Sequence, residues 1–133
     1  MTWEQAQPTA GPLRFAIFVG EQNVPPGIEL DDQDANCIHA VAFDVDGKAI
    51  GTGRLLPDGH IGRMAVTKEW RRRGIGAEIL EALTGEARKR GHAEVVLSAQ
   101  LQAMEFYRSF GFAAEGKVYE DAGILHQRMR KKL

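Results

Sequence analysis

A short segment rich in arginine and glycine, Arg71-Arg72-Arg73-Gly74-Ile75-Gly76, constrains the fold of this chain more than any other feature. It follows a run typical of a β-strand, Ile61 to Val66, and opens the clearest helical pattern in the sequence. Glycine lets the backbone approach a ligand closely, and the first turn of a helix leaves several N–H groups without internal partners. The segment therefore predicts a site for an anion such as a pyrophosphate. The alternative is a solvated turn of charged residues.

The composition narrows the class of protein. A chain of 133 residues, 44% hydrophobic and 26% charged, fits one soluble domain with one core, which we expect to span residues 1–133. The formal net charge of −1 argues against a general nucleic-acid binder. No apolar run reaches the roughly 20 residues that cross a bilayer, so no membrane partner is expected. A single cysteine, Cys37, is typical of a reducing cytoplasm, where we expect the protein to lie.

The first half of the chain predicts a helix and three antiparallel strands. Residues 1–10 are weakly patterned, with at most a short strand around Trp3 to Gln5. A helix is predicted from Pro12 until about Gly20. Turn residues then separate three runs rich in β-formers, which are Ile38 to Val45, Ala49 to Leu56 and His60 to Val66.

The second half mixes helices and strands. A helical pattern starts at Ile75 and stops before Gly91. It is followed by a buried strand, a short helix and two strands around a turn, over Glu94 to Ala99, Gln102 to Phe110 and Ala113 to Arg130. This order predicts an α/β (α+β) single-domain sandwich, with a central mixed, mostly antiparallel sheet of about six to seven strands and about three to four helices.

The arginine-glycine segment can be compared with known anion-binding patterns. A P-loop requires Lys and Ser or Thr after its second glycine, but Ala77 and Glu78 follow Gly76. A dinucleotide-binding fold requires a third glycine where Ile79 stands. The pattern [Gln/Arg]-x-x-Gly-x-[Gly/Ala] is matched by Arg71, Gly74 and Gly76.

A second element follows downstream, because Ala103 to Phe112 reads A-x-x-F-Y-x-x-x-G-F. The two elements, in this order, resemble the GNAT-type N-acetyltransferase superfamily, and the likeness extends from about Leu13 to Met129. A narrower resemblance is to small bacterial acetyltransferases of the ElaA and YjcF type. It is carried by Phe18 to Gln22, Glu29 to Asp34, Arg63 to Val66, and Ala122 to Ile124 with His126.

The resemblance implies acetyl-CoA as the donor of an acetyl group. Its pyrophosphate would lie on the backbone amides from about Arg72 to Ala77, with the arginine side chains contributing charge. Its pantetheine arm would pair with Arg63 to Val66, where the sheet of this superfamily splays. The backbone N–H of Met64 or Ala65 would contact the oxyanion. Gln100 lies where related proteins often hydrogen-bond the cofactor.

Tyr107 matches the tyrosine that the superfamily uses as a general acid to protonate the leaving thiolate. The alternative is that Tyr107 only packs beside Phe106, Phe110 and Phe112. A phenol with an ordinary pKa near 10 suits proton donation to an alkyl thiolate of similar basicity.

The general base and the acceptor site are less determined by the sequence. The acidic run Glu29 to Asp34 is a candidate to attract a cationic amine through Glu29 and Asp32, with Glu29 also a candidate base. The alternative interpretation of this acidic run is a solvated turn. His39 begins a strand and His126 falls in the last one, and both are candidates for a base or a substrate contact near neutral pH. Each is also a common kind of structural side chain.

The resemblance therefore implies an acetyl-CoA-dependent N-acetyltransferase that acts on a primary amine, of a small molecule or a peptide, by direct attack in a ternary complex. We expect a monomer or a homodimer. The histidines and Cys37 show no metal-ligand spacing, so no metal is expected. A non-catalytic acyl-CoA-binding or regulatory module of the same fold is the alternative. Acyl-homoserine-lactone synthesis uses a similar fold, but the chain is short for it.

Overall fold

The computed structural model describes residues 1–24 and 32–133. Its α-helices are α1 (Trp3–Arg14), α2 (Ile75–Lys89) and α3 (Met104–Ser109). Its strands are β1 (Ile38–Phe43), β2 (Ala49–Leu55), β3 (His60–Val66), β4 (Glu94–Gln100), β5 (Ala113–Asp121) and β6 (Ile124–Lys132). A π-helical segment, Phe15–Glu21, continues α1, and short 3-10 turns lie at Asp34–Asn36, Lys68–Trp70 and Leu101–Ala103.

Within the described residues the strands form one six-stranded sheet with the order β1-β2-β3-β4-β6-β5. Only the central pair, β3 with β4, is parallel. That pairing is limited to His60 with Val96 and Ile61 with Leu97, after which the two strands separate. The mixed, mostly antiparallel sheet that splays in the middle, flanked by helices, is thus confirmed.

The beginning of the chain differs from its sequence-based prediction. The expectation of a short strand around Trp3 is wrong, because α1 already begins there. Thr2 and Gln5 form a capping box, in which each side chain accepts a hydrogen bond from the other residue's backbone N–H (3.3 and 3.0 Å). This cap starts a helix at the position where the weak hydrophobic pattern indicated none. The helical run ends at Glu21, close to the expected end at Gly20.

The core lies on both faces of the sheet. On one face α2 contributes Ile79, Leu80 and Leu83, which pack with Leu55, Leu97 and Met129 of the strands. On the other face Leu13 and Ile17 pack on Ala65.

Two glycines of β2 let α2 lie close to the sheet. A Cβ at Gly51 would come 2.8 Å from Ile79 Cδ1, and one at Gly53 would come 2.9 Å from Ile79 Cγ2. This close packing fixes the start of α2 beside the end of β3. None of the helices in the described ranges is both long and apolar enough to cross a bilayer.

Candidate active site

A cavity of about 460 Å³ lies where β3 and β4 separate. Alternation along the strands directs Met64 and Leu97 toward the α2 face, where both contact the core. The same alternation directs His60 and Ser98 toward the α1 face. Residues that point to both faces of the sheet therefore line the cavity where the two strands separate.

A bulge in β3 shapes this cavity. Thr52 pairs with Ala65, but Arg54 pairs with Gly62, so β3 contains one more residue than β2 over this stretch. The extra residue is accommodated at Arg63, which has a left-handed φ of 49°. The bulge takes Arg63 and Met64 out of regular pairing beside the cavity that they line. This arrangement is compatible with the predicted oxyanion contact from the backbone of Met64 or Ala65.

The arginine-glycine segment leads directly into α2, as predicted. Gly74 is the N-cap residue of this 15-residue helix, with a φ of 84°, and it provides no side-chain cap. The helix hydrogen bonds start with Glu78 N–H and Gly74 O (3.1 Å), which leaves Ile75, Gly76 and Ala77 as available backbone donors. A Cβ at Gly74 would meet nothing within 4 Å, so the backbone is open on this side. The helix N-terminus therefore fits a pyrophosphate.

The three arginines of the segment have different environments. Arg71 pairs with Glu21 (2.6 and 2.8 Å) and donates from Nε to the Val66 carbonyl oxygen (2.9 Å). Its side chain thus joins protein elements, and a direct ligand contact stays a prediction. Arg72 is exposed and has a left-handed φ of 64°. The Arg73 guanidinium lies over the Trp70 ring at 5.2 Å.

Tyr107 projects from α3 into the lining of the cavity. Its ring makes edge contacts with Phe106 (5.1 Å between centroids) and Phe112 (5.9 Å). Burial raises the pKa of the Tyr107 phenol to about 12, because the charged phenolate is disfavoured in this apolar setting. The phenol is therefore a weaker acid than the sequence indicated, and it keeps its proton at all physiological pH values.

Three glutamine side chains join β4 to the π-helical segment at the cavity. Gln100 donates from Nε2 to Gln22 Oε1 (2.9 Å), and Gln102 donates from Nε2 to Gln100 Oε1 (2.5 Å). Gln100 and Gln22 both line the cavity. The predicted cofactor contact of Gln100 stays a prediction, and the side chain already positions one wall of the cavity.

The structure separates the two histidines that the sequence suggested. His126 lines the cavity, and its Nδ1 lies 2.7 Å from the Ile124 carbonyl oxygen. His39 is buried against Trp3 (4.9 Å between rings), with Nε2 3.0 Å from the Asp34 carbonyl oxygen. Burial lowers the pKa of His39 and keeps its ring neutral. His39 is not among the residues that line the cavity, so its substrate role stays a prediction that this placement does not favour.

Only the end of the acidic run, from Asp32 to Asp34, lies within the described residues. Glu29 lies outside the described residues. Asp32 is exposed and is not part of the cavity lining. Asp34 belongs to a 3-10 turn and is buried, where its Oδ1 accepts hydrogen bonds from Arg14 (2.8 Å) and Arg54 (2.9 Å). Asp34 thus binds α1 to β2, and Arg54 in turn lines the cavity.

Sequence analysis missed a second histidine in the cavity, His60. Its Nδ1 lies 3.0 Å from Asp58 Oδ1, and both residues line the cavity. Burial acts to raise the pKa of Asp58, but hydrogen bonds from His60 outweigh it and hold that pKa below its ordinary value. The signal in the sequence was Asp58-Gly59-His60, which we interpreted only as a turn before a strand.

Among the described residues, neither a cluster of metal ligands nor a thiol lies at the cavity. Across residues 1–24 and 32–133, no group of three or more His, Cys, Asp or Glu side chains is arranged to hold a metal ion. Cys37 is buried, with Sγ 3.2 Å from the Gln33 carbonyl oxygen, and it is not part of the cavity lining.

Comparison with known proteins points to the same acetyltransferase family that the sequence resembles. A family model described as "Acetyltransferase (GNAT) domain" matches residues 28–133. YjcF of Bacillus subtilis (strain 168), described as an uncharacterized N-acetyltransferase, is 37% identical over 123 residues, covering 90% of this chain and 87% of YjcF. ElaA of Escherichia coli (strain K12) is 31% identical over 129 residues, covering 91% and 84%.

Solved structures show the same similarity. An acyl-CoA N-acyltransferase from Pseudomonas aeruginosa superposes with a TM-score of 0.82 at 31% identity, covering 92% of this chain and 87% of that one. The crystal structure of Escherichia coli ElaA also gives a TM-score of 0.82, at 28% identity, covering 93% and 88%.

Proposed function

The chain belongs to the GNAT acetyltransferase family, and on this premise we propose that it is an acetyl-CoA-dependent N-acetyltransferase. The acceptor in this proposal is a primary amine, of a small molecule or a peptide, which attacks directly in a ternary complex. The observation that carries the proposal is the cavity where β3 and β4 separate. It has Tyr107 and Met64 on its lining together with His60 and His126, so a donor and an acceptor can meet inside it.

The donor side of the proposal rests on the start of α2. The open amides of Ile75, Gly76 and Ala77 favour a pyrophosphate, as does the positive end of the helix dipole. Arg72 and Arg73 add charge, and each charge-assisted hydrogen bond contributes about 1.5–3 kcal/mol. Acetyl-CoA supplies an activated acetyl group as a thioester.

The chemistry requires a neutral amine, an oxyanion contact and a proton for the thiolate. The amine nitrogen first forms a bond to the acetyl carbon, whose carbonyl oxygen becomes an oxyanion, and the bond from that carbon to sulfur breaks when the oxyanion collapses. His126 accepts the proton that the amine loses, and the backbone N–H of Met64 or Ala65 donates to the oxyanion. Tyr107 gives its proton to the departing thiolate. Solvent then returns a proton to Tyr107 and removes one from His126.

The raised pKa of Tyr107 is consistent with this role. The apolar surroundings that disfavour a phenolate also disfavour a thiolate in the same place. The basicities of the two groups therefore rise together, and proton transfer to sulfur stays feasible.

A thiol-release assay tests the proposal. Acetyl-CoA is supplied with polyamines, amino acids, aminoglycosides, aryl amines and peptide N-termini, and the free thiol is measured beside the acetylated product. We expect amine-dependent release with at least one class, and a large loss of that release in Tyr107→Phe. Clear binding of acetyl-CoA with no transfer to any amine would indicate instead a non-catalytic acyl-CoA-binding module.

A further inference from the structure

Tyr119 contacts His126, the proposed base, but has no role of its own in the mechanism proposed above. Tyr119 on β5 pairs directly with His126 on β6, and their rings stack with centroids 5.9 Å apart and planes at 21°. The Tyr119 hydroxyl donates a hydrogen bond to Ser98 Oγ on β4. The phenol therefore spans β6 from one neighbouring strand to the other beside the imidazole.

The hydrogen bond on the other side of His126 defines its tautomer. Its Nδ1 lies 2.7 Å from the Ile124 carbonyl oxygen. Because a carbonyl oxygen only accepts, Nδ1 carries the hydrogen in this bond. The neutral ring then has its lone pair on Nε2. An imidazole held in this form is ready to accept a proton at Nε2.

We propose that Tyr119 is a positioning residue, which with Ser98 holds the His126 imidazole in the Nδ1–H form so that Nε2 serves as the base for the acceptor amine. This inference rests on the proposed function and names a residue that acts through the base. Tyr119 packs on the ring, Ser98 fixes the phenol, and the Ile124 carbonyl oxygen fixes the proton on Nδ1.

The other charged and titratable groups near His126 come from several elements. Asp121 at the end of β5 and Arg63 in the β3 bulge line a small cavity together with His126. Arg128 lies two positions along β6 on the same face, and Tyr107 lines the larger cavity from α3. The His60 and Asp58 pair also lines the larger cavity and is the alternative base.

The contacts of Tyr119 contribute little to the folding stability of the protein. Tyr119 is 39% exposed and Ser98 is exposed, so neither belongs to the core. A hydrogen bond between exposed hydroxyl groups contributes little to folding, because water offers both groups equivalent partners. Substitution of either residue should therefore leave the fold intact, and an effect on the reaction can be measured cleanly.

The kinetic experiment is a double-mutant cycle on the full chain. We expect His126→Gln to lower kcat about 100-fold or more. Tyr119→Phe and Ser98→Ala should each lower kcat by about 3- to 10-fold, the size of one lost hydrogen bond. Tyr119→Leu, which also removes the stacking, should lower it further. In the His126→Gln background, Tyr119→Phe should have no additional effect. The neighbouring exposed Val118 provides the control, and Val118→Ala should match the wild type.

A spectroscopic readout separates this inference from the proposed function. Long-range proton–nitrogen NMR correlations distinguish the Nδ1–H and Nε2–H tautomers of His126 in the protein without substrate. We expect Nδ1–H in the wild type and a mixture in Tyr119→Leu, with acetyl-CoA binding unchanged. An Nε2–H tautomer in the wild type, an unchanged tautomer in Tyr119→Leu, or additive kinetic effects would overturn the inference. Absence of transfer to every amine would overturn the proposed function, while the tautomers would still decide whether Tyr119 positions His126.

Discussion

Glu21 and Arg71 form a bidentate ion pair, with distances of 2.6 and 2.8 Å between their oxygen and nitrogen atoms. Glu21 ends the π-helical segment and Arg71 begins the arginine-glycine segment. The mutual hydrogen bond lowers the pKa of Glu21 and raises that of Arg71. Arg71 also donates to the Val66 carbonyl oxygen (2.9 Å). One guanidinium thus connects the π-helical segment with the end of β3 and with the arginine-glycine segment.

Arg71→Lys should weaken acetyl-CoA binding about 5- to 10-fold, because an ammonium cannot form the fork that bonds Glu21 and Val66 together. The free energy of unfolding should change by less than about 1 kcal/mol, since the pair is substantially exposed to solvent. Calorimetric titration and urea unfolding measure the two effects. Arg108→Lys is the matched control, because Arg108 pairs with Glu105 on the surface. Equal binding losses in both variants would refute a specific role for Arg71.

Gly76→Ala should stabilise α2 without weakening acetyl-CoA binding. A Cβ at Gly76 would come 3.4 Å from Phe106 Cζ, so a small shift of the ring accommodates it. Alanine is also a better helix former than glycine by up to about 1 kcal/mol. We expect an unchanged or higher melting temperature and an unchanged acetyl-CoA affinity, because the added methyl group faces Phe106 and the pattern of this segment accepts Gly or Ala at position 76. A large loss of affinity in calorimetric titration would show that the phosphates approach on the side of the added methyl group.

Gly74→Ala provides the contrast to that substitution. The φ of 84° at Gly74 is strained for alanine, so this variant should lose about 1–2 kcal/mol of stability. Thermal unfolding followed by circular dichroism distinguishes the two glycines. Equal melting temperatures for both variants would contradict the assignment of strain to Gly74 alone.

The sequence predicted those elements whose cause is local. The structure confirms three short-range signals of this kind: the periodicity of α2, the turn residues between β1 and β2, and the strand patterns of β3 and β4. The capping box of Thr2 and Gln5 is also a local signal, but the hydrophobic pattern around Trp3 is weak, so the sequence predicts the first helix to begin later than α1 does.

The side-chain contacts that the sequence could not predict depend on distant partners. The Asp34 carboxylate is buried in an ion-pair cluster only because Arg14 of α1 and Arg54 of β2 both reach it. Tyr119 contacts His126 only through the pairing of β5 with β6. Motifs in the sequence were enough to predict Tyr107 and Gly76 as site residues, whereas these contacts can be seen only in the folded sheet.

Tyr107→Phe should lower kcat by about 100-fold or more at every pH between 6 and 10. Burial raises the pKa of the Tyr107 phenol to about 12, so the wild type keeps this proton throughout that range and the ratio of the two rates should stay constant. The measurement is kcat against pH for both proteins, with acetyl-CoA affinity as the control for intact binding. A ratio that falls toward one above pH 8 would show that the phenol titrates lower than its burial indicates.

Asp34→Asn should destabilise the protein by about 3–5 kcal/mol, because it leaves two buried guanidinium groups without the carboxylate that accepts from both. Urea unfolding measures the loss. Asp32→Asn is the matched control, since Asp32 is exposed and close in sequence, and it should change stability by less than about 0.5 kcal/mol. A loss below about 1 kcal/mol in Asp34→Asn would mean that the two arginines find other partners at little cost.

His39 should make the stability of the protein depend on pH in the weakly acidic range. Burial lowers the pKa of His39 below its ordinary value of 6.5, while the hydrogen bond to Asp34 offsets only part of that effect. As the pH falls through about 6.5, the unfolded chain binds a proton at His39 and the native chain does not. The unfolded state then holds more protons, so native stability decreases as pH decreases.

His39→Gln tests this expectation, because glutamine Nε2 can still donate to the Asp34 carbonyl oxygen but does not titrate. At pH 8 the variant should be about 1 kcal/mol less stable than the wild type, owing to the lost packing of the ring on Trp3. Between pH 7 and pH 5 only the wild type carries the proton-linked loss at this position, so the gap should narrow. Urea unfolding at pH 8, 7, 6 and 5 measures it. A gap that stays constant across this range would mean that His39 takes up its proton equally in the native and unfolded states.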